Sequence, residues 1–168
     1  MVNDEKRGAV MKRGSVTVLK AAIFAIGIVV LSLCIFALPS LAKSLAEMYP
    51  EFAYLRYPVL LGLYLTTGPF FYALYQGLRM LHLIENGKAF SYLAVYTLVR
   101  IKYCASMISI LYIMGMIFLL TQNALHPSIA IMGLVILFSS IVIMLFSAVL
   151  QSLFKNALIM RLENELTV

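Results

Sequence analysis

The sequence predicts an all-α protein, a four-helix transmembrane bundle with both termini in the cytoplasm. Three observations carry this. The 168 residues are 63% hydrophobic and only 12% charged, with a mean hydropathy of +0.99, whereas soluble domains are near half apolar and a quarter charged. Four apolar stretches at about 21–38, 58–82, 103–120 and 129–154 each approach the roughly 20 residues needed to cross hydrocarbon. The basic residues cluster at alternate ends of these stretches, as orientation in a membrane requires. By length the chain forms a single integral membrane domain over residues 1–168.

The first span follows a basic segment containing Lys6, Arg7, Lys12, Arg13 and Lys20. Residues 21–38 hold no charge, and eleven of them are Leu, Ile, Val or Phe. At about 0.3–0.6 kcal/mol each these favour insertion by roughly 5 kcal/mol. Ser40-Leu41-Ala42 resembles a signal-peptide cleavage site, but the apolar run is longer than a normal signal core and three further spans follow.

Pro39 and Pro50 bracket a polar connector with Lys43, Glu47 and Glu51, followed by Tyr49, Phe52, Tyr54 and Tyr57, an interfacial aromatic belt on the outer side. Pro58 suits the first turn of the second span, where N–H groups lack partners anyway. Asn86-Gly87 marks a turn. Ser91 is placed to cap a helix from Tyr92, and residues 91–102, with Arg100 and Lys102, read as an amphipathic interfacial lead-in to the third span. The polar 121–128 segment, containing His126-Pro127, separates the third span from the fourth. The fourth holds fourteen Leu, Ile, Val or Phe residues between Ile129 and Leu150 and continues as a cytoplasmic helical extension.

Eleven basic residues lie at the N-terminal segment, the second-to-third connection and the C-terminus, against two, Lys43 and Arg56, on the other side. That bias predicts N-in, C-in insertion in the cytoplasmic membrane of a bacterial cell. The net charge of +6 is explained by this orientation, because the cations flank apolar runs instead of forming a nucleic-acid-binding patch. Cys34 and Cys104 fall near opposite ends of different spans, too far apart for a disulfide.

Catalytic and metal chemistry find little support. The seven acidic residues lie outside or at the edges of the apolar cores, so no span carries a carboxylate suited to ion-coupled transport. His82 and His126 fall at opposite membrane faces, and Met107, Met114 and Met116 lack Cys or His companions, so neither a metal nor a cofactor is expected.

Polar residues do recur on two helical faces. Gly68, Tyr72, Tyr75, Gln76, Arg79 and His82 share one face of the second span, and Ser140, Ser147, Gln151 and Lys155 share one face of the fourth. Tyr72, Tyr75, Gln76, Arg79, Ser147, Gln151 and Lys155 are therefore candidates to line a polar cavity. The competing reading is interhelical hydrogen bonding with snorkelling of Arg79 and Lys155. Thr66-Thr67-Gly68-Pro69 sits mid-span, where proline removes a backbone bond; a static kink with its freed carbonyl satisfied by threonine hydroxyls or neighbouring helices competes with a hinge. Leu158, Leu162 and Leu166 repeat every four residues along the tail and form a candidate face for docking a partner or the bilayer. Ala21, Ala25 and Ser106 allow close helix contacts within one chain or in a homo-oligomer.

Gly87-Lys88-Ala89-Phe90-Ser91, opening the third helix, and the ending Arg161-Leu162-Glu163-Asn164-Glu165-Leu166-Thr167-Val168 resemble the bacterial family catalogued as domain of unknown function 2975. Its members have four expected spans, a Gly-x-x-Phe-Ser/Thr stretch before the third, and a Glu-Asn-Asp-Leu-Thr-Ile-like tail. This chain has Glu165 where many have Asp, Val168 for Ile, and an apolar Tyr92–Tyr96 stretch where the family tends to carry charges. The resemblance implies no activity; it implies a neighbouring gene for a small helix-turn-helix regulator. Two expectations follow: a non-enzymatic membrane sensor or regulatory partner of a cytosolic DNA-binding protein, or a small transporter, channel or immunity protein binding a peptide or lipophilic ligand.

Overall fold

The computed structural model describes residues 2–40, 43 and 54–166, with the side chains of 2–15, 37, 56 and 164–166 outside the description. Most of the outer connector, including Glu47, Tyr49, Glu51 and Phe52, therefore lies outside the described residues, as do Thr167, Val168 and the Leu166 side chain.

The described residues are helical or in turns: α1 (Val2–Ser32), α2 (Arg56–Glu85), α3 (Tyr92–Thr121) and α4 (Pro127–Leu166). A π-helical turn, Leu33–Ala37, continues α1. Three segments are long and apolar enough to cross a membrane, Val16–Ser40, Tyr92–Thr121 and Pro127–Glu163. The 30-residue α2 is long enough too, but Thr66, Thr67, Gly68, Pro69 and Gln76 dilute its apolar content. Outward surfaces carry large apolar side chains, among them Phe24, Phe36, Leu61, Met132, Phe138 and Phe146, each more than 60% exposed. Water would not tolerate so much contiguous apolar surface; lipid tails do.

Helices pack in chain order. The α3–α4 contact is the most extensive, α2–α3 follows, and among the described residues α1 leans chiefly on α2, an open arrangement of the four helices. Lys20 pairs with Glu85, joining the start of the α1 span to the end of α2. At the opposite end the Tyr54 hydroxyl donates to Gln122 Oε1 at 2.8 Å, joining the α1–α2 connector to the α3–α4 turn. The helices therefore alternate in direction.

The turns explain themselves residue by residue. After α2, Gly87 takes φ +68°, its N–H bonds Ile84 O at 3.1 Å, and Lys88 N–H bonds Leu83 O at 2.9 Å. These are the two bonds of a Schellman C-cap, with glycine at its left-handed position. Asn123, at φ 52°, plays the same part after α3, with Asn123 N–H to Leu120 O and Ala124 N–H to Leu119 O at 3.0 and 3.1 Å. Ser91 Oγ accepts from Ala94 N at 3.3 Å and caps α3 as its sequence position predicts. His126 O accepts from Ala130 N, so Pro127 opens α4 at the position where its missing N–H costs nothing. Gly87→Ala is expected to cost about 1 kcal/mol of stability, since a Cβ disfavours φ > 0, whereas Asn123→Gly should be neutral or stabilising. Detergent-titrated unfolding of the two variants checks this.

The amphipathic lead-in expected at 91–102 runs into the third span without a break. It is the first part of a continuous α3, and Ala94, Thr97 and Leu98 are among its most deeply buried residues, at 0, 0 and 4% exposure. Ala94 and Leu98 pack with Met80 and Leu83 of α2, and Leu150 and Phe154 of α4 close over them. Phe90, from the connecting turn, meets the Phe154 ring edge-on at 5.3 Å. The reason is steric: Ala94 presents a small side chain, so two helices can approach one face.

Candidate functional site

The polar face read on α2 divides in two. At about 100° per residue, Tyr72, Tyr75, Arg79 and His82 occupy one arc and are exposed, while Gln76, Met80 and Leu83 occupy the adjoining arc and are buried. Gln76 is 2% exposed and its Oε1 has no hydrogen-bond partner among the described residues. Because Met80 and Leu83 pack on Leu98 and Ala94 of an antiparallel helix, the turn preceding Met80 lies beside the turn following Leu98.

That following turn carries Lys102, whose Nζ donates to Gln151 Oε1 of α4 at 3.0 Å. One turn earlier on α4, Ser147 is buried, and Ser140 is buried two turns before that. Gly133, Ser140 and Ser147, spaced by seven, make a small-residue seam that lets α4 approach α3 closely; a Cβ on Gly133 would meet Met116 Sδ at 3.3 Å. Lys155, one turn past Gln151, is exposed. Of the seven cavity candidates, Gln76, Ser147 and Gln151 thus belong to the helix seams, and Tyr72, Tyr75, Arg79 and Lys155 to the outer surface. They do not converge on one cavity among the described residues.

What sequence reasoning missed is Arg100. Its guanidinium donates to the hydroxyls of Tyr72, at 3.3 Å, and Tyr96, and lies 4.7 Å over the Tyr96 ring. Lys102 sits 5.7 Å over the Tyr103 ring. The Tyr96/Arg100 spacing of four was a visible signal, obscured by counting Arg100 only as an orientation charge. Between α2 and α3 an open cleft of about 370 Å³ is lined by Tyr72, Arg100, Tyr103, Cys104 and Met107.

Nearer the other end, Tyr64 donates to the Cys34 carbonyl within the π-helical turn at 3.0 Å, and Cys34 Sγ lies 3.6 Å from Thr67 Oγ1. Thr66 and Thr67 both donate to Leu63 O, at 2.7 and 3.0 Å. Pro69 frees the carbonyl of Leu65 instead, so the threonines do not mend the bond that proline removes. The helix is nonetheless continuous through Pro69.

Both cysteines are free thiols. Among the described residues no three His, Cys, Asp or Glu side chains cluster closely enough to hold a metal ion. On the tail, Leu158 is buried and Leu162 is 36% exposed, beside exposed Ile159 and Met160. Leu158 is thus spent on packing while Leu162 borders the exposed set, and the Leu166 side chain lies outside the description.

The family model described as "Protein of unknown function (DUF2975)" matches residues 40–168. An uncharacterized membrane protein, YoaS of Bacillus subtilis (strain 168), is 48% identical over 160 residues, covering 94% of this chain and all of that protein. No solved structure matches.

Proposed function

The chain belongs to the DUF2975 family, and from that premise we propose that it is a non-enzymatic, four-span protein of the bacterial cytoplasmic membrane that serves as regulatory partner to a cytosolic helix-turn-helix protein. The observation that carries the reading is the length of α4. Its 40 residues extend about 60 Å at 1.5 Å per residue, twice the roughly 30 Å of hydrocarbon. With Pro127 at the outer boundary, the helix leaves hydrocarbon near Gln151, and its last turns stand in the aqueous phase. There Ile159, Met160 and Leu162 are exposed, an apolar set suited to a helix-in-groove contact.

Orientation follows from the same inventory. The alternating helix directions put Lys20, the 86–91 turn and the α4 extension at one end of the molecule, and eleven of the thirteen basic residues belong to that end. The positive-inside rule makes it cytoplasmic, with both termini inside. Helix α2 crosses as the fourth span because Tyr54 and Glu85, at its two ends, contact partners at opposite ends of the molecule.

The transport, channel or immunity reading has less behind it. Gln76 is sealed between helices, and the two depressions on the described surface considered for a ligand are open clefts, one of them wholly apolar along Leu134, Phe138 and Ile141 of α4.

Affinity purification of the full chain is expected to recover a small DNA-binding protein, and truncation after Met160 should abolish that recovery while leaving membrane insertion intact. An interaction profile indifferent to the truncation removes the regulatory reading. Reporter fusions at each terminus should both score cytoplasmic.

A further inference from the structure

We propose that the cleft between α2 and α3 is a binding site for an anionic phospholipid, with Arg100 holding the headgroup phosphate and Met107 supporting the upper acyl chain. The proposal depends on membrane insertion but not on the regulatory partner. Along α3 the cleft runs from Arg100 through Tyr103 and Cys104 to Met107, seven residues or about 10 Å of helix. Its polar end is cationic and aromatic. Its far end is sulfur and hydrocarbon.

Depth fits this polarity. The uncharged stretch of α3 from Tyr103 to Leu120 spans about 27 Å at 1.5 Å per residue, so Arg100 stands at the hydrocarbon boundary, where lipid phosphates lie. Tyrosines gather at the same level, as they do at interfaces: Tyr72 and Tyr103 line the cleft and are 40% and 65% exposed.

Charge fits it as well. Arg100 is held by two phenol hydroxyls and an aromatic face, and Lys102 by an amide oxygen. These partners carry no negative charge, so they do not compete with a phosphate as counter-ions. A guanidinium offers a planar fork matched to two phosphate oxygens. Tyr72, while accepting from Arg100, retains its own O–H to donate to the same phosphate. A soluble anion would satisfy only this rim and leave Met107, 50% exposed, without a cover; a lipid satisfies both ends. The cleft lining holds a cation, Arg100, and no carboxylate to pair with a choline-type ammonium, which favours an anionic over a zwitterionic headgroup.

The test is native mass spectrometry of the full-length protein in detergent, with dioleoyl-phosphatidylglycerol, dioleoyl-phosphatidylcholine or inorganic phosphate added at equal concentration. Phosphatidylglycerol should be retained in preference to phosphatidylcholine, and Arg100→Gln should reduce its retention about fivefold, as loss of one interfacial cation implies. Arg100→Lys should fall between. Met107→Trp, at an exposed position where folding is not at stake, should displace the lipid and keeps the test decisive if Arg100→Gln misfolds. Equal retention of the two lipids, undiminished retention in both Arg100→Gln and Met107→Trp, or displacement of the lipid by inorganic phosphate at equal concentration would each overturn the assignment.

Discussion

Leu98→Ala is expected to lower the unfolding free energy in mixed micelles by about 2 kcal/mol, the largest loss of any single truncation considered. Leu98 is 4% exposed and touches the group formed by Met80, Leu83 and Ala94, with Leu150 and Phe154 alongside. It is the point where α2, α3 and α4 meet. In water such a change forfeits both transfer and cavity terms. In a bilayer the transfer term nearly vanishes, because lipid tails are as apolar as the protein interior. What remains is the cavity, about 24 cal/mol per Å³ over the volume of three lost carbons, which gives the figure of about 2 kcal/mol. Leu145→Ala provides the control: Leu145 is 56% exposed on the outer face of α4, and lipid fills the space it vacates, so its effect should stay within about 0.5 kcal/mol. Equal losses at the two positions would mean that the three-helix junction does not organise the fold.

The same junction separates what the chain reveals directly from what it conceals. Signals confined to a few adjacent residues were legible. Ser91 caps α3 as its side-chain chemistry demands, and Asn86-Gly87 turns the chain because only the glycine takes the left-handed conformation readily. The resembling Gly87–Ser91 stretch now has a physical content: glycine closes α2, Phe90 packs on Phe154, and serine opens α3. Tertiary placement was not legible. Residues 91–102 read as interfacial because Arg100 and Lys102 are charged, yet Ala94, Thr97 and Leu98 form a buried face. Periodicity also could not place the boundary of a face. The α2 stripe straddles the edge of the interface, so Gln76 and Tyr75, adjacent in sequence, have opposite fates. The open order of helices, with α1 packed chiefly on α2 among the described residues, has no sequence signature, since an apolar surface reads alike whether helix or lipid covers it.

Gln76→Leu is expected to raise stability by about 1 kcal/mol or more. Buried polar groups are ordinarily paired, and Gln76 Oε1 is not, although the side chain is among the largest fully enclosed in the protein. The neighbouring buried hydroxyls behave differently: Thr97 donates to Leu93 O and Ser109 to Ala105 O, each to the carbonyl four residues back in its own helix. A glutamine has no such local solution for its acceptor, and leaving one unmet costs about 1–3 kcal/mol. Leucine matches glutamine closely in volume and carries no acceptor, so substitution removes the penalty without opening a cavity. Lys102 stands in the facing turn and already spends a donor on Gln151; a second donor turned toward Gln76 would relieve the deficit. The two cases separate cleanly. If Lys102 supplies that donor in the membrane, Gln76→Leu lowers the unfolding midpoint, and Lys102→Met lowers it more in the presence of Gln76 than in the Gln76→Leu background. If Oε1 is unmet, the midpoint rises and Lys102→Met has the same effect in either background.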